Sequence, residues 1–177
     1  SYVFYFFYKK IIYVTLHSIM KTKYILTLAV ALLIPQIIGL LGSLFTSATI
    51  PTWYATLTRP ELAPPNWVFG PVWTVLFILM GIASFLIFQK GYERRDVRIA
   101  LSFYGAQLIL NLLWSLLFFG ARNPGLAFAE IVVLWLVLFL TIRKFWPLSK
   151  TSAYLLVPYI LWVSFAGYLN YSIWILN

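Results

Sequence analysis

Few residues in this chain could carry acid–base, nucleophilic or metal chemistry. Its 177 residues include no cysteine, one histidine (His17) and four acids, Glu61, Glu93, Asp96 and Glu130. This inventory excludes disulfides and thiol nucleophiles, offers too few ligands for a metal cage and makes a histidine-dependent triad hard to assemble. We therefore predict no catalytic residue, no metal and no cofactor. Aromatic, amide and hydroxyl side chains remain as candidates for a functional role.

The composition indicates that lipid surrounds most of the chain. It is 63% hydrophobic and 10% charged, whereas a soluble domain carries about 25% charged residues. Five stretches are long enough to cross a bilayer as helices: Tyr24–Phe45, Pro71–Phe88, Ile99–Phe119, Pro124–Ile142 and Ala153–Ile175. Because open strands would leave backbone polar groups unsatisfied in lipid, we predict an all-α integral membrane protein, a compact bundle of five transmembrane helices.

The basic residues predict an orientation. All of the 13 Lys and Arg residues except Arg59 and Arg122 lie before the first span, between spans two and three, or between spans four and five. The positive-inside rule then places the N-terminus in the cytoplasm and the C-terminus outside. A plasma membrane and an organelle membrane both stay open. Membrane orientation also explains the net charge of +9 without a nucleic-acid partner.

Residues 1–23 form a basic and aromatic extension that is too short to span. Lys9 and Lys10 interrupt its two apolar runs, SYVFYFFY and IIYVTLHSI. Two alternatives stay open: Met20 is the true start, or the aromatic segment lies on the inner leaflet. A cleaved signal peptide is less favoured, because the first span is too long for one. Residues 24–177 form the five-helix domain.

Residues 47–70 are predicted to form a stiff lid over the bundle. The stretch RPELAPPNWVFGPVWT holds four prolines, and each proline fixes φ and removes a hydrogen-bond donor. Four large aromatic residues would pack the lid against the helix ends: Trp53, Tyr54, Trp67 and Trp73. For Trp53 and Trp67 an aromatic belt at the membrane interface is the alternative.

Polar and aromatic side chains recur on single faces of three spans. In span three, Gln107, Asn111 and Ser115 share one helical face with Trp114 beside them. Polar groups at that depth should face the bundle rather than lipid. The other two stripes are Trp73, Phe77, Met80, Gly81 and Ser84 in span two, and Trp162, Ala166, Leu169 and Asn170 in span five. The three faces predict a cavity for a flat hydrophobic ligand, with ordinary interhelical packing as the alternative.

Three blocks of sequence, in order, extend this interpretation. They read WYATLTRPELAPPNWVFGPVWTVLFILMG (Trp53–Gly81), QLILNLLWSLLFFGARNPGLAFAE (Gln107–Glu130) and VPYILWVSFAGYLNYSIW (Val157–Trp174). Together they resemble the tryptophan-rich sensory protein/translocator protein family, the peripheral-type benzodiazepine receptors. The resemblance covers nearly all of the chain from Met20 on and implies a bundle of five transmembrane helices.

The resemblance also implies a ligand and a site. Members of that family bind porphyrins and other hydrophobic molecules, and animal members bind cholesterol. The implied ligand-binding residues are Tyr54, Pro64, Phe69, Trp73, Asn111, Trp114, Ser115, Trp162 and Ala166. Trp73 and Trp162 are expected to form walls of the site, and Asn111 to hydrogen-bond a ligand carbonyl or carboxylate.

The implied function is a membrane ligand-binding protein for porphyrins, other tetrapyrroles or haem-like molecules, acting in sensing, transport or stress regulation. The alternative is light-dependent porphyrin degradation, which the resemblance implies for some bacterial members. A sterol or a synthetic benzodiazepine-type ligand is also implied. Sterol transport is less favoured, because no basic residue follows Tyr171, and such sterol motifs are weak. Leu62 stands where many members carry a lid tryptophan, so the cavity mouth is expected to differ.

Some side chains carry secondary expectations. Glu130, the one acid inside a span, should be protonated or bonded to amides or tyrosines. Pro35 and Pro158 are expected to kink their helices. Two pairs of small residues, Gly39 with Gly42 and Ser102 with Ala106, offer faces for a homodimer. Glu93 and Asp96 are expected to pair with neighbouring arginines of the loop between spans two and three.

Overall fold

The computed structural model describes the backbone of residues 2–177 and the side chains of residues 20–177. Within that part of the chain, five helical stretches are long and apolar enough to cross a membrane. The predicted all-α membrane bundle of five spans is therefore confirmed. The α-helices are α1 Tyr2–Thr49, α2 Phe69–Phe88, α3 Arg95–Ser115, α4 Pro124–Phe145, α5 Lys150–Leu155 and α6 Val157–Leu176.

The first helix continues beyond its predicted end at Phe45. It reaches Thr49 and passes into a π-helical turn, Ile50–Tyr54. Pro51 lies at the start of this turn, where the wider π geometry accommodates its missing N–H. The non-helical part of the predicted lid is therefore shorter than expected, residues 57–65. The two alternatives for the N-terminal extension, a true start at Met20 or an aromatic segment on the inner leaflet, stay predictions, because the side chains of residues 1–19 lie outside the described part.

The last span consists of two helices rather than one. α5 ends at Leu155, and α6 begins at Val157 with Pro158 in its first turn. Pro158 cannot donate a hydrogen bond to the preceding helical turn, and the break lies two residues before it, at Leu156. Leu156 closes the break by donating its N–H to the Ala153 carbonyl at 3.2 Å. Pro35, in contrast, lies inside α1 without interrupting the helix.

α1 and α2 pack closely together at Gly81. A Cβ atom added there would lie 2.8 Å from the Ala31 carbonyl oxygen and 2.8 Å from the Leu32 Cα. Pro35 has no N–H to donate to that Ala31 oxygen, so the contact occurs where the α1 backbone has lost a hydrogen bond. Gly81 therefore serves interhelical packing rather than the predicted cavity stripe.

The loop between α2 and α3 carries an ion pair. The Arg94 guanidinium donates to both carboxylate oxygens of Asp96 at 3.1 and 2.6 Å. Glu93 does not take the predicted role, because its backbone carbonyl, at 3.2 Å, accepts the hydrogen bond from Arg98. The pairing prediction is thus confirmed for Asp96 and replaced by a backbone contact for Glu93.

Candidate functional site

A cavity of about 420 Å³ lies at the lid end of the bundle, between α1, α2, α3 and α6. The structure brings together eight of the residues predicted for a ligand site, all of which line this cavity: Tyr54, Phe69, Trp73, Asn111, Trp114, Ser115, Trp162 and Ala166. Their binding role stays a prediction. The volume lies within the range of about 300–1,000 Å³ that is usual for small-molecule pockets.

Pro64 is the exception among the predicted site residues, because it does not line the cavity. The lid turns at Pro60, whose carbonyl accepts the Ala63 N–H at 2.9 Å. A short 3-10 turn, Asn66–Val68, then leads into α2 and brings Asn66 to the cavity instead. The path of the lid backbone thus places the Asn66 amide, rather than Pro64, at the cavity mouth.

Paired aromatic rings build the cavity walls. Trp73 stacks on Phe77 with ring centroids 5.3 Å apart, and Trp114 stacks on Phe118 at the same distance. Trp162 meets Phe69 edge-on at 5.8 Å. Such contacts stabilise ring positions beyond simple area burial. The walls therefore present large, pre-positioned aromatic surfaces to the cavity.

The polar groups of the cavity differ in how fully they are already bonded. Asn170 is bonded at both ends of its amide, since it accepts from Trp114 Nε1 at 2.9 Å and donates to the Pro124 carbonyl at 2.7 Å. Asn111 donates to the Tyr159 hydroxyl at 3.1 Å, which leaves its carbonyl oxygen and one N–H for other partners. Asn111 therefore keeps a capacity for ligand binding, and Asn170 has a structural role.

Trp162 carries an unused donor. Its indole Nε1 is buried and makes no hydrogen bond within the described residues, although the residue lines the cavity. A buried N–H without a partner costs about 1–3 kcal/mol. Because the Nε1 atom has almost no accessible surface, Trp162 contributes its ring to the cavity wall, and its buried donor lowers stability.

α1 provides a whole wall that the sequence interpretation did not assign to the cavity. Most of its contributions are small or polar, and they include Gln36, Gly39, Gly42, Ser43, Thr46 and Ser47. Gly39 faces the Phe77 ring, and a Cβ at Gly42 would lie 3.1 Å from Ser115 Oγ. This glycine pair is therefore used inside the bundle and not as the predicted dimer face.

The lid is held at both of its sides. Thr58 and Asn177 form a two-point clamp, in which the Thr58 N–H donates to Asn177 Oδ1 at 2.9 Å and Asn177 Nδ2 donates to the Thr58 carbonyl at 3.1 Å. Arg59 donates to Asn66 Oδ1 at 3.2 Å and lies over the Tyr54 ring at 5.7 Å. A guanidinium therefore stands beside the cavity mouth.

The predicted aromatic packing of the lid holds only in part. Trp53 packs edge-on against Phe118 at 5.8 Å, and Tyr54 lies 5.7 Å from the ring of Phe119. Trp67, in contrast, is 75% exposed, and Leu62 is exposed as well. For Trp67 the geometry agrees with the alternative of an interfacial aromatic residue.

Glu130 is buried in α4 behind the cavity. Neither of its carboxylate oxygens makes a hydrogen bond within the described residues, so the predicted bond to amides or tyrosines is not formed there. Gln107, predicted for the cavity face of α3, is also fully buried, and both of its amide atoms lack partners in that part of the chain. It does not line the cavity.

Fold and site together define a multi-pass α-helical membrane protein with an aromatic cavity beneath a proline-rich lid. The sequence profile of the TspO/MBR family matches residues 31–175. The chain belongs to the TspO/MBR family.

Individual relatives agree with this assignment. The chain is 43% identical to a tryptophan-rich protein TspO of Chlorobaculum tepidum, over 88% of this chain and 98% of the relative. It is 36% identical to the translocator protein of Bos taurus, over 80% of this chain and 85% of the relative. It is 38% identical to a tryptophan-rich sensory protein of Cereibacter sphaeroides, over 71% and 77% respectively.

Proposed function

We propose that the protein binds porphyrins or similar flat, hydrophobic molecules within the membrane, in sensing, transport or stress regulation. The observation that carries the proposal is a cavity of about 420 Å³ whose walls include three tryptophan rings, Trp73, Trp114 and Trp162. The aromatic walls would bury the flat body of the ligand.

The charge at the mouth fits the polar edge of such a ligand. A porphyrin carries carboxylates on one edge of an apolar ring. Arg59 stands at the lid, hydrogen-bonded to Asn66, which lines the cavity. Arginine is well suited to carboxylate recognition because its guanidinium is planar and always charged. The proposed pose places the ring among the aromatic walls and the carboxylates at the lid.

The test is titration of the purified protein with protoporphyrin IX, followed by the absorption spectrum of the porphyrin. Trp162→Phe and Trp73→Phe each reduce one aromatic wall of the cavity. Trp135→Phe is the matched control, because Trp135 lies on α4 and does not line the cavity.

We expect saturable binding at one porphyrin per chain. Replacing an indole by a phenyl ring removes apolar contact surface at about 25 cal/mol per Å², about 1 kcal/mol in all, so Trp162→Phe and Trp73→Phe should each weaken binding roughly fivefold. The control should bind as the unmodified chain does. Non-saturating binding, or equal weakening in all three variants, would contradict the proposal.

Light-dependent porphyrin degradation is the second candidate function. The observation that favours it is the presence of oxidisable indole rings, Trp73, Trp114 and Trp162, around one cavity. A bound photosensitiser in light and oxygen would lie against these rings. Illumination of the porphyrin complex should yield a discrete product with repeated turnover if the protein is an enzyme. Bleaching without turnover would mark incidental photochemistry.

We further propose that the lid lies on the outer side of the membrane. The described basic residues other than Arg59 and Arg122 lie away from the lid end, before α1 crosses, between α2 and α3, and near α5. Because the chain has no cysteine, a single Glu61→Cys variant provides a unique label. It should react with an impermeant maleimide added outside intact cells. Labelling only after lysis would reverse the orientation.

A homodimer is also proposed. With Gly39 and Gly42 used inside the bundle, Ser102 and Ala106 are the remaining small-residue pair, and both are exposed on α3. Ala106→Leu should weaken self-association in analytical ultracentrifugation if this face forms the contact. An unchanged dimer would place the contact elsewhere.

A further inference from the structure

The contact between α1 and α2 ends partway along the bundle. Away from the lid the two helices are tightly joined: Gly81 meets the backbone of Leu32, and Gln36 Nε2 donates to the Thr74 carbonyl at 3.3 Å. Gly39 then faces the Phe77 ring. This seam closes the bundle on the side away from the lid.

Toward the lid the helices separate. Leu32 of α1 lies opposite Gly81 of α2, and the two helices run antiparallel. Eleven residues further toward the lid on each helix, Ser43 would lie opposite Gly70. A Cβ atom at Gly70, however, would meet nothing within 4 Å. The space beside Gly70 is therefore open where a continued helix contact would fill it.

This gap connects the cavity to the outside of the bundle. Several residues line the cavity and are exposed at the same time: Leu40, Ser43 and Ser47 on α1, and Gly70 and Thr74 on α2. Leu40 is 67% exposed. Both helices belong to stretches long and apolar enough to cross a membrane, so we expect this opening to face the bilayer.

We infer that the opening between α1 and α2 is a lateral entrance, through which apolar ligands pass between the bilayer and the cavity. Gly70 sets its width, because it is the residue without a side chain at the gap. The inference rests on the proposed function for the ligand, but the opening itself is a property of the two helices.

The entrance also selects for ligand chemistry. Ser43 Oγ donates to the Leu40 carbonyl at 2.7 Å, and Thr74 Oγ1 donates to the Gly70 carbonyl at 2.9 Å. Thr46 Oγ1 likewise donates within α1. Because these hydroxyl hydrogens are used inside the helices, the oxygens remain as acceptors. The entrance therefore offers acceptors to ligands that carry O–H or N–H donors, such as a pyrrole N–H.

The first experiment tests the opening without any ligand. The chain has no cysteine, so Ser43→Cys can carry a single bimane label. In vesicles containing brominated phospholipid, the label should be quenched if the gap is open to the bilayer. Adding Gly70→Phe should reduce that quenching, because a phenyl group then stands in the gap. No quenching, or quenching unaffected by Gly70→Phe, would overturn the inference.

The second experiment measures transfer of protoporphyrin IX from loaded vesicles to the reconstituted protein. A phenyl group in the gap would crowd a passing ligand as an overpacked contact does, so Gly70→Phe should slow both entry and release by roughly tenfold. The matched control is Val75→Phe, which adds the same ring at an exposed position of α2 that does not line the cavity.

The lid route predicts a different pattern. Asn177→Ala removes the clamp on Thr58, and entry through the lid would make this variant faster and leave Gly70→Phe unchanged. That outcome would overturn the lateral entrance. If protoporphyrin does not bind to the unmodified chain, the proposed function fails, and the bimane quenching alone decides whether the opening faces the bilayer.

Discussion

The substitution of glycine by alanine can be tested at two positions of this bundle, one tightly packed and one open. Gly81 of α2 and Gly105 of α3 both lie in helix interiors. A Cβ at Gly81 would stand 2.8 Å from the α1 backbone, whereas a Cβ at Gly105 would meet nothing within 4 Å. We predict that Gly81→Ala destabilises the protein and that Gly105→Ala stabilises it.

The magnitude follows from two terms. Replacing glycine by alanine in a helix interior contributes about 0.8–1.0 kcal/mol of stability at either position. At Gly81 the contacted atoms belong to backbone, the Ala31 carbonyl oxygen and the Leu32 Cα, so α1 itself must shift. Such overpacking costs about 1–3 kcal/mol. The two variants should therefore differ by about 1–3 kcal/mol in the free energy of unfolding.

The assay is reversible unfolding by sodium dodecyl sulfate in mixed micelles, followed by far-ultraviolet circular dichroism. Because the substitution is the same, the helix-propensity term cancels in the difference between the variants. Equal stability of Gly81→Ala and Gly105→Ala would refute the reasoning, since it would mean that α1 is free to move away from α2.

Two other perturbations test single contacts. Asn170→Leu leaves Trp114 Nε1 and the Pro124 carbonyl without partners. A hydrogen bond between membrane helices contributes about 0.6 kcal/mol on average and up to about 1.7, so this variant should destabilise the bundle by about 1–2 kcal/mol in the same assay. No change would show that lipid or water replaces both bonds. Asn177→Ala removes the acceptor of the Thr58 N–H, so hydrogen exchange of the lid peptide should accelerate while the helix peptides keep their rates. Unchanged exchange of the lid would show that the clamp does not restrain it.

Three walls of the cavity could be predicted because their side chains are conspicuous in a membrane span. Trp73, Asn111 and Trp162 are large or polar groups that lipid does not accommodate well, and their helical spacing placed them on inward faces. The structure brings them to one cavity. Residue type and periodicity identified these three walls, but not their depth, because Gln107, Met80 and Ser84 on the same predicted faces are buried and do not line the cavity.

The α1 wall could not be recognised by the same criteria. It borders the cavity through small and hydroxyl residues, for example Gly39, Gly42 and Ser43, and such residues are typical of helix packing in general. The spacing of Gln36, Gly39, Ser43 and Thr46 on one face was visible in the sequence. It could not distinguish a face that contacts a neighbouring helix from one that contacts a cavity.

The lid shows a second limit of prediction from sequence. Pro60 and Pro64 predict a stiff connection, but the residue that faces inward depends on where the chain turns. A turn closed by the Pro60 carbonyl brings Asn66 rather than Pro64 to the cavity. Composition therefore predicts rigidity, and the direction of each side chain follows from turn geometry that local sequence leaves undetermined.

The two ends of the α1–α2 contact have different roles, since one affects the stability of the bundle and the other affects ligand access to the cavity. Away from the lid, Gly81 allows α2 to pack onto the α1 backbone, so changes there act on the free energy of unfolding. At the lid end, Gly70 lies beside an open gap with no contact to lose, so added bulk there acts on passage into the cavity. One helix pair can therefore be tightly packed and still leave its cavity open to the bilayer, because each property depends on a different glycine.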